Sequence, residues 1–340
     1  MFASRLITSS RYKTASVRLH QHTRPVLQRH PNPTLRTMSS SGANDAAAAL
    51  EARNQHEASI KRNPHPDFKA VEASRPDWEE SSTWHYTKTR SPDWQWGQGG
   101  NDGGESLAKK HVEIDPYEPG RPAVFNYKLM ISAIVPRPIG FLSTMAADGT
   151  SSNLAPFSYT SMVCHDPPIF AIGITGGIAT AKDTLANIAS SKECVINIIS
   201  EHFIEAANST SVNAPYGVSE WGLSGLHQAP SSVIKPPRVQ EAVFAAECKL
   251  YELKEFESKA NPGKKSGTLV LLEGVKFWVR EDAINEEKNQ IDPAILRPIS
   301  RLGGITYGRT TEVFEILRPD FSAVGKAPNA EELLEKASNP

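Results

Sequence analysis

Cysteine is scarce in this chain: Cys164, Cys194 and Cys248 are the only three in 340 residues. They are odd in number and far apart in sequence, so no disulfide framework is encoded. The pattern fits reduced, buried thiols in an intracellular compartment. No pair has metal-ligand spacing, and the ten histidines form no paired helical motif. Long apolar runs are missing too: no stretch reaches the ~18 residues needed to span a bilayer. Acidic residues are absent from the first 44 positions, which hold seven of the 37 basic side chains, leaving 30 basic against 38 acidic side chains elsewhere. A slightly acidic body carries no phosphate-backbone footprint, so nucleic acid is not an expected partner.

Proline and glycine are plentiful, at 25 and 22 residues, which favours turns and β architecture over a helical bundle. Residues 1–38 are Arg-, Ser- and Thr-rich. They read either as a mitochondrial presequence or as a disordered basic tail, with Met38 as an internal start for a cytoplasmic form. Residues 39–120 form an extension. Its first part, Asn44–Arg62, is alanine-rich and predicts a capped helix. Its second part, Pro76–Gly104, has no period and carries Trp78, Trp84, Trp94 and Trp96. Four indoles in so polar a stretch suggest an arm laid on another surface, as a cap or a dimer arm, rather than a linker.

Residues 121–318 have a different texture. Short β-patterned runs occur at Arg137–Met145, Asn153–Phe170, Pro167–Thr175, Glu193–Ser200, Ala242–Phe256 and Gly267–Glu281, with a further run at Thr310–Leu317. Gly274 marks a bulge or bend in the sixth. Short helices are predicted at Lys182–Ser190 and Glu201–Ser209, with a helical turn at Ile291–Ile299. Residues 319–340 form a tail with a helix at Asn329–Ser338. Many strands and few helices predict a mainly β fold, a closed barrel with short helical inserts and an N-terminal extension.

Two places are suited to ligand chemistry. "AKDTLANI" puts Lys182, Asp183 and Thr184 at a helix start, where free N–H groups and the dipole favour an anion. A phosphate cradle and an ordinary helix cap are both compatible with that pattern. The first hairpin places Ser143 and Thr144 on one strand and Asn153 and Ser158 on the next. Pro156 withholds its donor beside them. Short polar groups around a rigid kink suit the edge of a flat heteroaromatic ligand, and they also suit an ordinary strand face.

Taken in order, "PRPIGFLSTMAADGTSSNLAPFSYTSMVCHDPPIFAIGI", "KDTLANI", "ECVINIISE", "NAPYGVSEWGLSGL", "VIKPPRVQEAVFAAECKL" and "DPAILRPISRLGG" resemble the flavin reductase-like family of FMN-binding split β-barrels. The resemblance spans Asn126 to Leu317, and fungal members with a Trp-rich N-terminal extension are especially similar. It implies a Greek-key split barrel, a homodimer, one FMN per subunit near the dimer interface, and NADH or NADPH as co-substrate. Carried across, the FMN-binding positions are Ser143 and Thr144; Asn153, Ala155 and Ser158; and Lys182, Asp183, Thr184 and Asn187 at the phosphate. Arg137 is implied near phosphate or against a carboxylate. Arg301 and Tyr307, with Gly303 and Gly304, are implied on the nicotinamide side.

The family's partners of two-component monooxygenases carry a histidine near this last loop, whereas "PISRLGGITYGR" has none. That leaves the hydride donor open. Three functions are compatible: an NAD(P)H-dependent flavin oxidoreductase, an FMN-binding electron-transfer protein without nicotinamide activity, and a flavoprotein oxygenase acting on a small organic substrate. No catalytic side chain is expected, because the cofactor supplies the chemistry and the protein supplies alignment.

Overall fold

Pro156 cannot donate to a strand ladder and so belongs on an edge. In the computed structural model it lies on β3 (Ser152–Phe157), an end strand of a seven-stranded sheet. The structure describes residues 40–80, 82–215 and 217–338, so the targeting-like segment 1–38 lies outside the described residues. The chain divides into Met1–Ala43 and Asn44–Pro340, and every strand described belongs to the second unit.

The sheet runs β3-β2-β6-β9-β10-β5-β4, with β2 at Gly140–Met145, β4 at Thr160–His165, β5 at Pro168–Thr175, β6 at Glu193–Ile198, β9 at Phe244–Glu257 and β10 at Lys265–Val279. All six neighbouring pairs are antiparallel. The two end strands, β3 and β4, are separated in sequence only by Ser158 and Tyr159. Thr160 Oγ1 accepts from Gly140 N at 3.2 Å and donates to Phe157 O at 2.7 Å. The sheet therefore curls until its ends meet at this kink, giving the split barrel. The run expected at Asn153–Phe170 is thus two strands at opposite ends of one sheet, because the chain turns at Ser158–Tyr159.

Shorter pairings flank the barrel. They are β1 (His85–Tyr86) with β13 (Glu312–Val313), β7 (Gln228–Ala229) with β8 (Arg238–Val239), and β11 (Ile299–Arg301) with β12 (Tyr307–Arg309). The expected strand at Thr310–Leu317 survives only as β13, whose partner β1 comes from the extension and runs parallel to it. The expected irregularity at Gly274 is present. The register shifts between Gly274 and Lys276, and a Cβ at Gly274 would stand 2.8 Å from the Phe277 ring.

The helices are α1 (Ser40–Ile60), α2 (Phe68–Ala73), α3 (Ala123–Ala133), α4 (Asp183–Ser191), α5 (Ile204–Ser209), α6 (Glu220–Ser224), α7 (Pro293–Leu296) and α8 (Ala330–Ser338). Alternation along β2 divides the interior. Leu142 faces a cluster with Leu185 and Ile188 of α4, and with Ile172, Cys194, Ile196, Cys248 and Leu272. Phe141 faces a second cluster with Leu154, Ile199, Phe203, Trp221 and Val239. Cys194 and Cys248, distant in sequence, are directly opposed on β6 and β9, free and fully buried.

The Trp-rich stretch lies on the body at separate points. Trp78 Nε1 donates to Glu201 Oε1 at 2.9 Å, and the Asn329 amide donates to Trp96 O at 3.5 Å. Glu201 also receives Arg297 and Arg309. Burial raises its pKa, but hydrogen bonds from Arg297, Trp78 and Arg309 outweigh this and hold it below the usual glutamate value.

Candidate functional site

α4 begins at Asp183 after Lys182, whose side chain makes no capping bond to the helix. The amphipathic sequence that follows turns Leu185 and Ile188 into the barrel and puts Thr184 and Asn187 on the same buried side. Those two polar side chains are used at once. Asn187 Nδ2 donates to Thr144 Oγ1 at 3.1 Å, and the Asn153 side chain meets Thr184 Oγ1 at 2.7 Å. Thr144 and Asn153 are cross-strand partners, so both face α4. Four of the sequence-predicted residues thus converge, but as a satisfied polar seam that docks the helix to the sheet. Ala155 shares their side of β3 two residues on, and Ser158 sits half-buried at the kink.

Ser143 is a different matter. It neighbours Thr144 in an extended strand, so its side chain points to the opposite face. There it is fully buried, and its Oγ has no hydrogen-bond partner. The Ser143–Thr144 pair therefore does not present two hydroxyls to one ligand.

Lys182 leaves the seam. Its Nζ donates to Asn213 Oδ1 at 2.8 Å on the exposed side of the corner. Glu220 enters from the buried side, on α6. Its Oε2 accepts from Leu154 N at 3.2 Å, satisfying an N–H of the edge strand β3. With its nitrogen turned toward this carboxylate, Asn153 donates to the same oxygen at 3.1 Å while its oxygen accepts from Thr184. Glu220 is 5% exposed. Burial pushes its pKa up, the nearby charge of Asp183 adds to this, and the backbone N–H bonds oppose it. The buried Glu220 carboxylate leaves the exposed side, with Lys182, Asn213 and the first amides of α4, as the place suited to an anion.

Arg137 is engaged with the backbone rather than with a carboxylate. Nη1 donates to Ile131 O and Ile134 O at 2.5 and 2.7 Å, and Nη2 donates to Leu302 O at 2.8 Å. It caps the C-terminal carbonyls of α3 and ties them to the loop after β11. Arg301 stands beside it through the Arg137–Arg301 bridge, donates to Gly304 O at 2.9 Å, and lies 4.3 Å from the Tyr307 ring centre. Tyr307 Oη donates to Asn208 Oδ1 at 2.7 Å, and its pKa is raised by burial against the opposing charge of Arg301. Tyr159, Tyr127 and Arg62 complete this second cluster, where burial and then the Tyr127 hydroxyl raise the Tyr159 pKa.

The sequence alone does not mark Asn213, Glu220, Asn208 and Tyr127 as site residues. Asn213 and Glu220 belong to the quoted stretch "NAPYGVSEWGLSGL", but nothing in their local pattern announces burial or a lysine partner. A depression of about 260 Å³ opens at the other end of α4, beside Met145, Ser190, Glu193 and Lys235. Among the described residues no group of His, Cys, Asp and Glu is arranged to hold a metal ion.

Residues 132–296 match the flavin reductase like domain family. An uncharacterized protein of Halalkalibacterium halodurans is 34% identical over 200 residues, covering 58% of this chain and 92% of that protein. The crystal structure of nitrilotriacetate monooxygenase component B from Bacillus cereus is similar with a TM-score of 0.57 at 31% identity, covering 62% of this chain and 100% of that one. That of Pseudomonas fluorescens 2-nitrobenzoate 2-nitroreductase gives 0.54 at 31% identity, covering 62% and 98%. The ordered strands, the kinked closure between β3 and β4, and these full-length likenesses place the chain in the flavin reductase-like family.

Proposed function

We propose that this protein is an FMN-binding oxidoreductase that uses NADH or NADPH as hydride donor and passes the electrons to free flavin, oxygen or another acceptor. The observation that carries the reading is the corner before α4. In a family named for flavin reduction, Lys182, Asn213 and the start of a nine-residue helix offer a cation, an amide and helix N–H groups on the outer side. The group fits there on charge and donor type. It does not fit on the inner side, where Glu220 is buried and Thr184 is engaged with Asn153. When bound, FMN supplies the two-electron chemistry. Lys182 and Asn213 would hold its phosphate, and the Arg301–Tyr307 loop, stiffened by Arg137, would border the face open to a nicotinamide.

The names of the two similar solved proteins, a monooxygenase component and a nitroreductase, are in keeping with redox work on this barrel. The second reading, an FMN protein without nicotinamide activity, is favoured by the loop "PISRLGGITYGR", which lacks the histidine of related reductases. Anaerobic mixing decides between them. Flavin-loaded protein should bleach on addition of NADH or NADPH. Bound flavin that stays oxidised with both donors overturns the reductase reading.

A homodimer belongs to the same proposal. The end strand β4 exposes Met162 (70%) and Val163 (58%), and α3 exposes Phe125, Leu129 and Met130, an apolar surface suited to a second copy. No helix among the described residues is long and apolar enough to cross a membrane. Placement in mitochondria or cytoplasm rests on the basic residues 1–38 and is part of the proposal.

A further inference from the structure

Helix α1 and the residues just after it touch both ends of the proposed flavin site. At the phosphate end, Asn213 accepts from Lys182 and donates through Nδ2 to Asn54 Oδ1 of α1 at 3.3 Å. Eight residues later, Arg62 reaches the other end. Its Nε donates to Tyr127 Oη at 3.2 Å, its guanidinium lies 5.7 Å from that ring centre, and it pairs with Glu57. The Arg62 carbonyl also lies against the loop after β11, so close that a Cβ at Gly304 would come within 3.3 Å of it.

Among the described residues little else holds this stretch down. Ile60 is buried, Leu50 and Glu57 are half-buried, and the other described side chains between Ala47 and Ser59 are exposed. Such a helix is fixed at two polar points rather than by an apolar face. Asn54 and Arg62 precede the family-matched stretch, so the strap itself is an addition to the family barrel.

We propose that α1 is a detachable strap that closes the flavin face and gates the entry of a second, dinucleotide-sized substrate. The inference rests on the flavin-binding reading above. The test uses the full chain loaded with FMN and the double variant Asn54→Ala, Arg62→Ala. Hydrogen–deuterium exchange of residues 47–63 should become at least fivefold faster in the variant. Iodide quenching of the bound flavin should rise at least threefold, and anaerobic bleaching at subsaturating NADH or NADPH should accelerate to a similar degree. Unchanged exchange overturns the strap, because the tethers then do not hold the helix. Faster exchange with quenching at the wild-type value also overturns it, because the helix then does not cover the flavin. Greater quenching without bleaching in either protein supports the strap and removes the nicotinamide donor. A chain that retains no FMN overturns the strap together with the reading beneath it.

Discussion

At the scale of single residues, the polar groups of the site divide into those that hold the fold and those left to a ligand. Lys182, whose Nζ donates to Asn213 Oδ1, is the group proposed to meet the phosphate. Lys182→Ala should weaken FMN retention by about tenfold, the loss of one charge-assisted hydrogen bond of ~1.5 kcal/mol, and leave riboflavin retention nearly unchanged. Equilibrium dialysis against both flavins checks this, and equal losses would place Lys182 away from the phosphate. Glu220 belongs to the first kind. Its pKa is raised in the folded protein, so its stabilising contribution is fully present below the unfolded-state value and is lost as pH rises through the folded one. The urea midpoint should therefore fall as pH rises through that window. Glu220→Gln should flatten the fall and give the higher midpoint at pH 7. A wild-type midpoint that climbs through the same range would contradict the assignment. Arg137 was legible as important but not as a helix cap, since nothing local to "PRPIG" reveals that the carbonyls of Ile131, Ile134 and Leu302 converge on it.

At the scale of elements, β patterning located the barrel strands because half-buried strands carry a two-residue period that the core enforces. The pattern failed where tertiary pairing decides the outcome. It ran β3 and β4 together across Ser158, and it extended β13 over residues whose ladder partner is a distant piece of the extension. It also could not distinguish Thr144 and Asn187, joined to each other, from side chains free for a ligand, because both uses call for the same residue types. Gly274 was readable, and its cost can be measured. Gly274→Ala sets a methyl against Phe277 and Phe170, and should lower stability by about 1–3 kcal/mol in chemical denaturation. The extension has its own test. Glu201→Ala strips Trp78, Arg297 and Arg309 of their common acceptor. The change should cost about 2 kcal/mol and should make residues 76–86 the first site of limited proteolysis, while the barrel strands stay protected.

At the scale of the whole molecule, the apolar surface on α3 and β4 sets the expectation for assembly. Met162→Glu, on the strand that exposes it most, should shift the sedimentation coefficient from dimer toward monomer. A chain that sediments as a monomer without the change would leave that surface unexplained. The parallel pairing of β1 with β13 has a different consequence, one of timing. His85 and Tyr86 are made well before their partners Glu312 and Val313, and Trp96 well before Asn329, which bonds to it. During translation β1 must wait for β13 to emerge behind the barrel strands, so until residue 312 is made the arm lacks its β pairing and depends on earlier contacts such as Trp78 with Glu201.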